Sequence, residues 1–138
     1  MSFVLDSSAT LAWIYADEAT SSIQQVFERL IATGAWVPGL WRLEVANVLE
    51  MGVRKGRHSA EFRDETLADL ELLPIHIDPE TDHRAWRETL RLAERHRLTL
   101  YDAAYLELAR RRSLALATLD RDLRKAARAE VVPLLGLD

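Results

Sequence analysis

The chain has 138 residues and a formal net charge of −4; 49% of its residues are hydrophobic and none is cysteine. This length and apolar content predict a single domain spanning residues 1–138. The lack of cysteine excludes disulfides, thiolate metal sites and cysteine nucleophiles. Because no apolar run approaches the roughly 18 residues of a membrane helix and the N-terminus lacks a signal-peptide pattern, we expect a cytoplasmic protein without a membrane partner.

Short apolar segments typical of strands alternate with amphipathic segments typical of helices. The first half predicts, in chain order, a strand at 3–6, helices at 9–16 and 21–33, a strand at 35–37, helices at 40–55 and 59–72, and a strand at 75–77. The second half predicts helices at 79–96 and 101–112, a strand at 114–117, a helix at 120–129 and a last strand at 131–133. This alternation predicts an α/β domain with a short, mostly parallel sheet.

Four acidic residues occupy positions where packing alone does not explain a carboxylate. Two follow the predicted first and fourth strands, one interrupts the apolar stripe of the helix at 40–55, and one opens the helix at 101–112. In that order they are Asp6, Asp120, Glu44 and Asp102. A buried, unpaired carboxylate costs several kcal/mol or stays protonated, so such residues imply a compensating partner. A hard divalent cation is the economical partner for several converging carboxylates, and it indicates phosphate chemistry.

Each of these acids also has a structural explanation. Asp6 is placed to cap the helix that follows the first strand, and Asp120 lies at a helix start, where the helix dipole favours acids. Thr99 and Asp102 have the spacing of a capping box. Glu44 would reach water if it lay at the edge of its helix. Both explanations stay open for each acid taken singly, whereas their joint placement favours a site at the carboxyl ends of the strands.

The basic residues form clusters, and 16 of the 18 are Arg. The clusters lie at residues 54–57, 95–97, 110–112 and 121–128. Arg binds phosphate in a bidentate manner, so these clusters suit an RNA backbone. The alternative is a set of solvated helix faces that carry ion pairs. No pair of the four His residues has zinc-ligand spacing, and no phosphate-binding glycine loop occurs.

Four segments together resemble the PIN-domain proteins, in particular the VapC-type toxin ribonucleases of prokaryotic toxin–antitoxin pairs. They are VLDSSA, LEVANVL, LTLYDAAYLELA and LATLDRDLRKAA, and they span nearly the whole chain. The resemblance implies a PIN-like three-layer α/β/α fold. It also implies an acidic catalytic site, with an additional acidic position and two hydroxyl positions nearby. The implied acids are Asp6, Glu44, Asp102 and Asp120, the additional acid is Asp122, and the hydroxyls are Ser8 and Thr118.

The resemblance further implies an endoribonuclease that acts as the toxin of a VapBC-type pair. In such an enzyme Mg²⁺ or Mn²⁺, held by the four acids with Asp122 as a further ligand, would activate the water that hydrolyses RNA. The implied partners are RNA, a VapB-like antitoxin and a second copy of the chain in a homodimer. The alternative is a catalytically silent PIN-fold protein that acts by binding in a regulatory toxin–antitoxin complex.

The chain has four Trp residues, which together with Tyr15 are more than a small core usually needs. They are Trp13, Trp36, Trp41 and Trp86. We expect them to pack in the core. The alternative is an apolar groove that receives a helix of a partner protein.

Overall fold

A computed structural model describes residues 1–137. The strands are β1 (Phe3–Leu5), β2 (Ala35–Val37), β3 (Ile75–Ile77), β4 (Ala115–Ala117) and β5 (Leu134–Leu135). The helices are α1 (Ser7–Ile14), α2 (Ser21–Thr33), α3 (Leu40–Arg54), α4 (Ala60–Glu71), α5 (Thr81–Arg84), α6 (Leu90–His96), α7 (Leu100–Arg112) and α8 (Arg121–Ala129), with a π-helical segment at Ala85–Thr89. None of these helices combines the length and apolar character needed to cross a membrane.

The five strands form one sheet in the order β3-β2-β1-β4-β5, and every neighbouring pair is parallel. From β1 the chain winds outward to β2 and β3, then returns to β4 on the other side of β1 and ends at β5. Crossovers between parallel strands are right-handed, so reversing the winding direction places the later helices on the opposite face of the sheet. The α/β prediction is therefore confirmed, and the strand order reverses between β1 and β4.

The centre of the core is β1, whose three residues Phe3, Val4 and Leu5 are completely buried. A central strand of a doubly covered parallel sheet is buried on both faces, which explains a continuous apolar run instead of an alternating one. Helix α7 packs across β1 and β4, and its residues 103–109 are all buried. The first turn of α7 is thereby held close to the ends of these two strands.

Three of the four Trp residues pack against the core, as predicted. Trp13 stacks on Phe27 with ring centroids 4.1 Å apart. Trp41 is buried, and Trp36 is partly buried against the same core. Trp86 differs, because it lies in the π-helical segment and is 89% exposed.

The predicted last strand at 131–133 is wrong, because these residues end α8. Val131 adopts a positive φ of 59°, and its N–H donates to the carbonyl of Arg128. The N–H of Val132 donates to the carbonyl of Ala127, which completes a Schellman-type helix end. The strand β5 therefore begins only at Leu134.

The predicted single helix at 79–96 is also wrong, because the segment contains α5, the π-helical turn and α6. Arg87 has φ −119° and ψ −105°, which is incompatible with a continuous α-helix. The segment starts later than predicted as well. Asp78 accepts hydrogen bonds from the Glu80 N–H and the Thr81 hydroxyl, so the turn is complete before α5 begins at Thr81.

Candidate active site

The acidic residues converge where the strand order of the sheet reverses. Asp6 directly follows β1, and its N–H donates to the Ala117 carbonyl at the end of β4 over 3.1 Å. Asp120 follows β4 after a short turn and begins α8. In open parallel sheets, the crevice beyond the strand ends at this reversal is the usual ligand site. The fold thus joins two acids that lie 114 positions apart in the sequence.

Asp6 is 3% exposed, and its carboxylate accepts three hydrogen bonds. Its Oδ1 accepts from the Ser8 hydroxyl at 2.6 Å and from the Ala9 N–H at 3.0 Å, so Asp6 also caps α1. Its Oδ2 accepts from the Thr118 hydroxyl at 2.5 Å. Burial nevertheless raises the pKa of Asp6 to about 6, and the charge of Asp102 adds to this rise. The capping and site interpretations of Asp6 are therefore compatible.

The two hydroxyls that hold Asp6 also hold the turn between β4 and α8. The Ser8 hydroxyl accepts a hydrogen bond from the Leu119 N–H at 3.0 Å. The Thr118 hydroxyl accepts from the Asp120 N–H, also at 3.0 Å. Asp6 and Asp120 are consequently positioned by the same pair of side chains.

Asp102 lies in the first turn of α7 and is half-buried. Its N–H donates to the hydroxyl of Thr99, which caps the helix as the sequence pattern indicates. Burial is the main cause of the raised pKa of the Asp102 carboxyl, followed by the negative charges of Asp120 and Glu44. The helix cap therefore orients the backbone, and the carboxyl remains within the field of the other acids.

Glu44 is held by Tyr105, a residue that the sequence reasoning missed. The buried phenol of Tyr105 donates to Glu44 Oε1 over 2.5 Å and so links α7 to α3. Burial is the largest cause of the raised pKa of Tyr105, and the adjacent Glu44 carboxylate adds to it. Tyr105 follows Asp102 by three positions on one helix face, which is the spacing that could have revealed it. Glu44 itself is partly exposed, so its helix stripe is not purely apolar at that position.

Asp120 and Asp122 differ in their surroundings. The carboxylate of Asp120 caps α8 by accepting from the Leu123 N–H at 2.8 Å, and it is partly buried. Asp122 is exposed, although its charge still contributes to the raised pKa of Asp102. The structure therefore brings Asp6, Glu44, Asp102 and Asp120 together and leaves Asp122 at the rim.

The chemistry of these side chains fits a hard divalent cation, because carboxylate and hydroxyl oxygens are the donors available. Within residues 1–137, however, no three acidic or His side chains are already arranged to hold one metal ion. Both carboxylate oxygens of Asp6, and one oxygen each of Glu44 and Asp120, accept hydrogen bonds within the protein.

Many Arg residues of the predicted basic clusters form ion pairs. Arg111 and Arg112 share Asp78, while Arg95 and Arg110 share Glu130. These pairs favour the solvated-face explanation for the clusters at 95–97 and 110–112.

The basic cluster on α8 divides between two faces of the helix. Arg121, Lys125 and Arg128 are exposed, and in the described part of the chain none of them forms an ion pair. Arg124 points inward and is buried, which the sequence reasoning did not predict. Spacings of four and three residues place the exposed cations on one helix face.

Comparison with known proteins agrees with this architecture. Residues 3–129 match the PIN domain family model, and the chain therefore belongs to the PIN-domain family. It is 30% identical over 137 residues to Ribonuclease VapC3 of Pyrobaculum aerophilum, covering 96% of this chain and all of that protein.

Two solved structures share the fold. PAE2754 from Pyrobaculum aerophilum superposes with a TM-score of 0.70 at 24% identity, covering 97% of this chain and 83% of that one. VapC20 of Mycobacterium tuberculosis is described as a toxin that cleaves the sarcin-ricin loop. It has a TM-score of 0.60 at 18% identity, and the match covers 91% of this chain and 95% of that one. At these identities the likeness concerns the fold alone.

Proposed function

We propose that this protein is a divalent-metal-dependent endoribonuclease of the VapC type that acts as the toxin of a toxin–antitoxin pair. The observation that carries the proposal is the convergence of four carboxylates at the reversal of strand order, where the pKa values of Asp6 and Asp102 are raised. Family membership and full-length similarity to a VapC ribonuclease support the same activity. A protein that acts only by binding does not need four converging acids.

In this proposal Asp6, Glu44, Asp102 and Asp120 are the catalytic acids and hold Mg²⁺ or Mn²⁺, with Asp122 as an outer ligand. The bound cation would neutralise the carboxylates and lower the pKa of the attacking water. The protein contributes the orientation of the acids. Ser8 and Thr118 fix Asp6, and Tyr105 fixes Glu44.

Helix α8 provides the surface that suits the RNA backbone. Its exposed residues Arg121, Lys125 and Arg128 form a stripe that starts beside Asp120, and we call this stripe the α8 basic face. Phosphates along the stripe would lead a single strand into the acidic site. Within residues 1–137 these three cations form no ion pair, which favours this role, because counterion release on phosphate binding supplies affinity.

A VapB-like antitoxin is the partner that the similarity to VapC proteins supports. An apolar groove of about 300 Å³ lies between α3, α4 and β3. Its lining includes Trp41, Val45, Leu67 and Leu70, and the exposed Leu43 lies at its margin. The apolar face of an amphipathic antitoxin helix is the occupant we propose. We also propose that the protein is cytoplasmic and forms a homodimer. Light scattering of the purified protein tests the homodimer.

The partner proposal is tested by co-expressing the chain with the short reading frame upstream of its gene. Leu43→Glu places a charge at the groove margin and should weaken co-purification of the antitoxin without lowering nuclease activity. If this variant recovers as much antitoxin as the parent does, the groove is excluded as the antitoxin-binding site.

The nuclease proposal is tested with purified protein, a structured RNA and saturating Mg²⁺ or Mn²⁺. We expect cleavage by the parent, and its loss in EDTA and in both Asp6→Asn and Asp102→Asn. Hydrolysis without attack by the ribose 2′-hydroxyl should leave 5′-phosphate and 3′-hydroxyl ends. Cyclic 2′,3′-phosphate ends, or cleavage that survives EDTA, would contradict the mechanism. A folded parent that binds its antitoxin but cleaves no RNA would favour the catalytically silent alternative.

A further inference from the structure

Arg124 is a buried cation directly behind the acidic site. The residue is 7% exposed, and no carboxylate within residues 1–137 pairs with it. Its Nε has no hydrogen-bond partner among the described residues. Burying a guanidinium without a contacting counter-ion costs free energy, which the charge of Asp6 offsets only in part, so a cation at this position requires an explanation.

The side chain of Arg124 bonds to the turn after β4, which forms part of the site, and to the end of β5. Its Nη1 donates to the Thr118 carbonyl at 2.6 Å and to the Leu135 carbonyl at 3.0 Å. The Leu135 carbonyl also accepts from the Thr118 N–H at 3.4 Å. One nitrogen therefore joins the residue after β4 to the end of β5, and it holds the backbone of Thr118 through its carbonyl.

The hydroxyl of Thr118 carries this constraint into the acidic site. It donates to Asp6 at 2.5 Å and accepts from the Asp120 N–H at 3.0 Å. If the Thr118 backbone shifts, Asp6 and Asp120 both lose the hydrogen bond to the Thr118 hydroxyl that positions them. A displacement of about 1 Å at a catalytic group can lower a rate by roughly 100-fold, so these hydrogen bonds have a large effect on activity.

We propose that Arg124 is a positioning residue for the nuclease reaction, acting through Thr118 on Asp6 and Asp120. The inference rests on the proposed nuclease function and goes beyond it, because Arg124 touches neither RNA nor the acids. Its buried position also separates it from the α8 basic face, whose three cations face solvent. Substituting Arg124 should therefore lower kcat and leave KM for RNA nearly unchanged.

Arg124→Met and Arg124→Lys test this proposal, with Arg63→Met as a matched control. Arg63 is also partly buried, but it pairs with Glu50 and Asp64 on the surface of α3 and α4, away from the site. The Met variant should lose roughly tenfold or more in kcat, and the Lys variant an intermediate amount, because an ammonium can reach a carbonyl without the planar fork. The control should keep parental kcat. Parental kcat in either folded Arg124 variant would overturn the proposal.

Amide hydrogen exchange in the metal-free protein gives a readout that does not depend on activity. In the Arg124 variants, the Thr118 and Asp120 amides should exchange faster relative to the Asp78 amide, which bonds to Val37 on the other side of the sheet. Uniform acceleration or no change would indicate a merely structural role and refute the inference. An inactive parent with selective acceleration would instead refute the nuclease function and leave the positioning intact. The Lys variant decides the outcome if the Met variant does not fold.

Discussion

The phenol of Tyr105 donates a 2.5 Å hydrogen bond to Glu44, and this contact joins α7 to α3 beside the acidic cluster. The ring of Tyr105 is buried, whereas Glu44 is partly exposed. A buried residue thus orients a partly exposed one. Ligand carboxylates that are hydrogen-bonded in this way are typical of metal sites, where the supporting residue tunes the position of the ligand.

Tyr105→Phe removes this hydrogen bond and keeps the buried ring. We expect kcat to fall by roughly 10-fold, in the range found for residues that support metal ligands. The free energy of unfolding should fall by only about 1 kcal/mol, because the carboxylate can still be hydrated. Steady-state kinetics and urea unfolding measure the two effects. Parental kcat would show that Glu44 needs no support from Tyr105.

Asp6→Asn should abolish the stabilisation of the protein by Mg²⁺. Ligands that bind only the folded state raise the thermal midpoint, so added Mg²⁺ should raise the midpoint of the parent at pH 8. The variant keeps the shape of the side chain but loses its charge, and its midpoint should not respond. Asp82→Asn, on the exposed side of α5, is the control and should respond like the parent. An unchanged response in Asp6→Asn would exclude Asp6 as a ligand.

The metal-free protein should lose stability as the pH rises from about 4 to above 6. Burial raises the pKa of Asp6 from its ordinary value of 3.8 to about 6, so the folded state binds this proton more tightly than the unfolded state. The resulting stabilisation is complete below pH 3.8 and is lost as the pH rises through about 6. The shift corresponds to roughly 3 kcal/mol for a residue as buried as Asp6.

Urea unfolding between pH 4.5 and 7.5 measures this loss, and Asp6→Asn isolates the contribution of Asp6. The variant should show a shallower decline over the same range. Asp78 and Glu130 do not affect the comparison, because the folded state lowers the pKa values of both carboxyls. The stability that they contribute is therefore lost only below the pH range of the measurement. Parallel pH profiles for the parent and the variant would contradict a raised pKa at Asp6.

Neutralising the α8 basic face should weaken RNA binding in a salt-dependent manner. In a variant with Arg121, Lys125 and Arg128 all changed to Gln, we expect KM to rise and kcat to change little. For single-stranded RNA, the slope of log affinity against log salt should decrease in magnitude by about 2, since each lost phosphate contact removes about 0.7. Filter binding at several salt concentrations measures the slope. An unchanged slope would place the RNA on another surface.

Asp78 should be important for stability and dispensable for chemistry. Its side chain is fully buried and pairs with Arg111 at 2.7 Å and Arg112 at 2.9 Å. Removing the Asp78 charge leaves Arg112 without an ion-pair partner among residues 1–137, whereas Arg111 keeps Glu107, so Asp78→Asn should cost about 3 kcal/mol. Glu71→Gln, which breaks an exposed pair with Arg42, should cost less than about 1 kcal/mol. Urea unfolding measures the free energy of unfolding of both variants. Equal losses of stability would contradict the conclusion that burial makes the Asp78 ion pairs more important than the exposed pair.

The sequence alone predicted most of the helices and strands, and it also drew attention to acidic residues whose catalytic role stays a prediction. Apolar periodicity is a local property, so segments such as 21–33 and 35–37 could be read directly from residue spacing. The cap formed by Thr99 was also predictable, because a helix cap involves residues only three positions apart. The irregular segment around Arg87 and the helix end at Val131 were not, since their backbone conformations respond to packing as well as to local propensity.

Only the tertiary structure decided how the site is assembled. The strand order, which places Asp6 beside the end of β4, depends on pairings between residues over 100 positions apart and leaves no periodic signal in the chain. The same is true of the contact between Tyr105 and Glu44, which are 61 positions apart. Arg124 shows this most clearly, because its neighbours in the basic cluster face solvent. A sequence records which side chains are available, whereas burial and long-range contacts determine which of them meet.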